Sequence, residues 1–72
     1  MSAQHEFYLA RAAEARATAQ AATLANVRER WLLSEASWTD MAARSERADT
    51  MRAKLIAEKA SERAALELIS QG

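Results

Sequence analysis

Between Met1 and Gln71 the chain contains neither proline nor glycine; the only glycine is Gly72. No interior residue removes a backbone donor, and none can take up positive φ without strain. Alanine accounts for 19 of the 72 residues, and leucine, glutamate and arginine supply much of the remainder. All four favour helix. β-Branched residues are few and scattered. These features predict an all-α chain that is helical almost from end to end.

A chain of this length still needs a turn to make a core. The best place is Ala22–Asn26, where Asn26 followed by Glu29 fits a capping box and Thr23 is a competing cap. The first helix is then expected over about residues 3–22, the turn over 23–26 and the second helix over about 27–69. Nine of the first 22 residues are alanine. On the first helix Tyr8, Ala12, Ala15, Ala19 and Ala22 form a stripe at three- and four-residue spacing. Val27, Trp31, Ser34, Trp38, Met41, Ala42 and Ser45 form its counterpart on the second. In an antiparallel hairpin these pair Ala22 with Val27, Ala19 with Trp31, Ala15 with Ser34, Ala12 with Trp38 and Tyr8 with Met41. Each tryptophan is thereby expected over an alanine, with alternating sizes that let two helices interdigitate.

The first helix is too short to cover the second. About 23 residues project past the hairpin, roughly 35 Å at the standard rise. They carry Met51, Leu55, Ile56, Leu66 and Ile69. Leu55, Leu66 and Ile69 fall on one heptad-like seam, interrupted by Lys59 and Glu62. Two outcomes are open: the projection pairs with another chain, or it bends back near Asp49–Thr50 as a third helix. The lack of Gly or Pro there favours the unbroken helix. Leu32 and Leu33 lie off the tryptophan stripe, and Phe7 points away from the Tyr8–Ala12 seam. Such outward apolar residues indicate a second interface.

The composition also narrows the chemistry. Ten acidic and ten basic side chains cancel, and they cancel within each half, so no one-signed field draws the chain to nucleic acid or to an anionic membrane. No run approaches the ~20 apolar residues of a membrane span. The polar start Ser2, Gln4, His5 and Glu6 lacks the features of a signal peptide. The absence of cysteine fits a reducing compartment. A cytoplasmic location is expected.

No catalytic residue, cofactor site, metal site or small-molecule substrate is predicted. His5, the single histidine, is expected as a half-exposed residue near a frayed helix start, across from Ser45. A metal site needs several convergent donors, and a two-helix hairpin has little room for a pocket. Arg44, Arg47, Arg52 and Lys54 form the densest basic run, with Glu46 and Asp49 among them. Arg28 and Arg30 flank the start of the second helix, where positive charge opposes the macrodipole. They are expected to bind an acidic group, or to pair with Glu14 or the end of the first helix.

Tyr8-Leu9-Ala10-Arg11-Ala12-Ala13-Glu14-Ala15-Arg16, then Ala21-Ala22-Thr23, Asn26-Val27-Arg28-Glu29-Arg30-Trp31-Leu32 and Ser34-Glu35-Ala36-Ser37-Trp38 through Met41-Ala42, form a distinctive series. Over residues 7–45 it resembles a group of short, mostly uncharacterised helical-hairpin proteins of alphaproteobacteria. The resemblance implies a helical hairpin of bacterial, cytoplasmic origin, and no activity, cofactor or site residue.

The expected architecture is therefore an antiparallel helical hairpin with a long second helix, assembling into an oligomeric helical bundle. The expected function is protein–protein interaction, as a homo-oligomer or as an accessory subunit of a larger complex. Phe7, Leu33, Met51, Leu55, Ile56, Leu66 and Ile69 form the expected interface. The alternative is a small regulator or inhibitor at a nucleic-acid-bound assembly, with Arg44, Arg47 and Arg52 touching an acidic partner.

Overall fold

A computed structural model describes residues 2–71 of the chain. It contains two helices, α1 over Ala3–Ala21 and α2 over Ala25–Gln71. They form an antiparallel hairpin with a much longer second arm. The molecule measures 73 × 15 × 10 Å, and its long dimension is α2 itself, since 47 residues at about 1.5 Å each span about 70 Å. The helix passes through Asp49–Thr50 without a break, so the third helix left open by the sequence does not form.

Both ends of α1 are satisfied by nearby groups. Ser2 caps α1, its hydroxyl accepting from the His5 backbone N–H at 3.2 Å. At the other end Ala22 leaves the helix in an extended conformation, and its N–H donates to the Ala19 carbonyl. No described residue takes up positive φ, so the turn is made without the left-handed residue that commonly ends helices. The α2 helix begins at Ala25, which places Asn26 inside its first turn. The expected Asn26–Glu29 capping box is therefore corrected. The connection is closed from the other side: the Arg28 guanidinium donates to the Ala22 carbonyl at 2.9 Å. That cation sits at the carbonyl end of α1, the negative end of its dipole. This accounts for an arginine that is unfavourable to its own helix.

The hairpin is held at a seam of small residues. Ala12, Ala15 and Ala19 are buried on α1 and Ala42 on α2. The α1 stripe is the one expected. The register is also close to expectation: the His5 ring lies at Ala42 and Arg16 faces Glu35 at 4.0 Å. Half-buried Val27, Ser34, Trp38, Met41 and Ser45 continue the α2 face. Trp31 departs from it. It remains 40% exposed, and with Ser34 and Trp38 it borders a shallow groove whose other wall is Arg11, Glu14, Ala15 and Thr18. The expectation that Trp31 nests over an alanine inside the core is thus corrected, while Trp38 is half-buried on the expected face. Helices that meet at methyl groups leave little room for an indole between their axes, so the Trp31 ring moves to the flank.

Enlarging the seam should separate the helices. Ala19→Leu, at a position 1% exposed, is expected to lower stability by about 1–3 kcal/mol through overpacking. Ala17→Leu, on the exposed face of α1, should change it by less than about 0.5 kcal/mol. Chemical denaturation followed by circular dichroism measures both. Equal effects would contradict the small-residue seam.

Candidate protein-interaction surface

The open end of the hairpin is fixed by a polar contact that the sequence did not reveal. His5 is buried, and its Nδ1 lies 2.9 Å from the Ala42 carbonyl oxygen. A carbonyl only accepts, so Nδ1 carries a proton and donates. The expectation of a half-exposed histidine at a frayed start is corrected. The Ser2 cap orders this turn, and the alanine seam brings the backbones near enough for an imidazole to bridge them. Spacing gave one available clue, because His5 lies one heptad before Ala12 on the buried stripe.

Beside this contact lies an aromatic cluster. Phe7 meets Trp38 edge-on with ring centroids 5.9 Å apart, and Tyr8 lies 6.0 Å from the same indole. The Arg11 guanidinium sits 5.3 Å from the Trp38 ring centroid and also pairs with Glu14 at 3.3 Å. The Gln4 amide donates to the Tyr8 hydroxyl at 2.8 Å. Phe7 was expected to point outward as an interface anchor. It turns instead toward Trp38, yet remains 53% exposed, so the cluster offers one aromatic edge to its surroundings.

The other expected interface residues stand free of the hairpin. Leu33 is exposed on the far side of α2. Beyond Asp49 every described residue is exposed, including Met51, Leu55, Ile56, Leu66 and Ile69. Leu68 is as exposed as these and was missed. It lies almost opposite the Leu55–Leu66 seam on the helix. Of the arginines proposed to meet an acidic partner, Arg44 is engaged by Asp40 and Arg52 by Asp49. Arg47 borders a shallow depression with Glu46, Thr50, Met51 and Lys54.

The exposed area is large for the mass. The chain presents 5857 Å², against about 4,450 Å² for a compact protein of its 8.0 kDa. Its radius of gyration is 20.7 Å, where a compact chain of this length has about 11 Å. The excess of about 1,400 Å² exceeds the ~800 Å² that each partner contributes to a standard interface. No described helix is long and apolar enough to cross a membrane. Among the described residues no group of three or more His, Cys, Asp or Glu is placed to hold a metal ion.

Comparison with known proteins adds no relative: no family model, curated protein or solved structure matches the chain.

The aromatic cluster gives the two tryptophans unequal weight. Trp38→Ala removes contacts to Phe7, Tyr8 and Arg11 and is expected to cost about 2–3 kcal/mol. Trp31→Ala should cost about 1 kcal/mol, since its ring is less covered. Urea unfolding of the two variants tests the order, and a larger loss at Trp31 would contradict it.

Proposed function

We propose that the chain is a helical protein–protein interaction module without catalytic activity, which self-associates in the cytoplasm through the projecting part of α2. One observation carries this reading: every residue from Thr50 to Gln71 is exposed, yet the segment holds six large apolar side chains, Met51, Leu55, Ile56, Leu66, Leu68 and Ile69. An isolated helix in water draws little stability from its own sequence, and most helical stability comes from packing an apolar face. The hairpin supplies no such packing beyond Asp49. A partner that covers this segment supplies it, and docking is helix against helix.

The hairpin itself points the same way. Its buried apolar residues are four alanines, which contribute far less on burial than the larger aliphatic side chains. A 72-residue chain without disulfides is poorly stabilised by such a core alone. Association then contributes to folding as well as to function. The nucleic-acid alternative draws less support, because Arg44 and Arg52 already hold carboxylates of their own helix.

If the tail is the association surface, the double variant Leu55→Asp with Ile56→Asp sediments as a smaller particle than the parent and keeps the helicity of the hairpin. The parent's melting temperature should rise with protein concentration, and that of the variant should not. A parent that melts at the same temperature across a hundredfold range of concentration, with a monomeric mass throughout, would refute self-association.

A further inference from the structure

The exposed tail carries a pattern that specifies how two copies meet. About a point between Ala60 and Ser61 the sequence mirrors itself with its charges inverted. Moving outward from that point, Lys59 mirrors Glu62, Glu58 mirrors Arg63, and Lys54 mirrors Glu67. Apolar residues mirror apolar ones: Ala57 with Ala64, Ile56 with Ala65, and Leu55 with Leu66. All of these residues are exposed and lie on the uninterrupted α2 helix. Chains related by a two-fold axis through that point would run antiparallel, with each residue level with its mirror partner.

The same axis suits the helical seam. Arg52, Leu55, Lys59, Glu62, Leu66 and Ile69 follow one another at alternating three- and four-residue steps, the repeat of a coiled-coil stripe. In the antiparallel arrangement Leu55 packs against the partner's Leu66 on both sides of the axis. Lys59 meets the partner's Glu62 in the two central layers. Arg52 closes each end with its aliphatic stem over the partner's Ile69. Beside the seam, Ile56 falls next to the partner's Arg63 and Glu58 next to the partner's Ala65, so like charges do not meet. A parallel in-register pair would instead set Lys59 on Lys59 and Glu62 on Glu62. Polar residues that interrupt an apolar seam commonly fix register and orientation at some cost in stability.

Resting on the proposed self-association, we infer that the tail is an antiparallel homodimerisation site. A second copy of the chain covers Leu55, Leu66 and Ile69, and reciprocal Lys59–Glu62 pairs set its register. The paired stretch from Arg52 to Ile69 is about 27 Å long. It lies beyond the part of α2 that α1 covers, so the two hairpins sit at opposite ends of the dimer.

Two experiments on the full chain test this. Lys59→Glu alone and Glu62→Lys alone each place like charges in both central layers. Each should raise the dimer dissociation constant by about tenfold or more, and an equimolar mixture of the two should restore a heterodimer. The chain lacks cysteine, which makes single-cysteine variants selective. Leu55→Cys mixed with Leu66→Cys under mild oxidation should give the mixed disulfide, with little Leu55→Cys homodisulfide. Predominant homodisulfides, or charge variants that dimerise as the parent does, would overturn the antiparallel site while leaving self-association standing. A parent that stays monomeric by sedimentation equilibrium from about 1 μM to about 1 mM would overturn both, and would assign the tail to a different protein.

Discussion

Ala12, Ala15 and Ala19 are the buried apolar residues of α1 and Ala42 answers them from α2, so the two helices approach each other along a seam of methyl groups. The remaining contacts follow from that separation. His5 reaches across to the Ala42 carbonyl because the gap is no wider than one imidazole. The indole of Trp38 is half-buried on the side of α2 that faces α1, where it collects Phe7, Tyr8 and Arg11. Arg28 reaches back to the end of α1 because the turn between the helices is only three residues, Ala22 to Leu24. A seam of larger residues would move the helices apart and loosen each of these contacts.

A close seam made of alanine has an energetic consequence. Dispersion and burial grow with the area brought together, and an alanine methyl brings little. The hairpin gains geometric definition from its small residues and limited stabilisation from them. Larger apolar side chains are instead concentrated at the edge of the hairpin and along the free part of α2. Their placement couples stability to association. Covering the tail supplies the burial that the hairpin core lacks, and the hairpin gives the tail a fixed root from which to project. The excess of exposed area over a compact chain expresses the same coupling in another quantity.

Much of the hairpin was legible because it depends on local rules. The absence of breakers and the alanine stripe at helical spacing each have one structural outcome, and the register follows once two stripes must face each other. The legibility failed where a side chain had a choice of partner. Asn26 and Glu29 have the spacing of a capping box, but the helix starts at Ala25 and leaves Asn26 in its first turn. His5 reads as an exposed polar residue until the carbonyl of Ala42, 37 positions away in sequence, is brought beside it.

The sequence by itself determined that the chain is helical, that it turns within Ala22–Asn26, and that α2 outruns α1. These outcomes rest on backbone preference and on periodicity, and both are properties of neighbouring residues. It also determined the mirrored charges of the tail, which need only an unbroken helix to be meaningful. Only the tertiary structure decided that Trp31 lies at the edge of the seam and that His5 is buried. It likewise decided that Arg28 belongs to the end of the other helix. Those outcomes depend on the distance between two helix axes, which is set by every residue packed in the seam at once and by no residue alone.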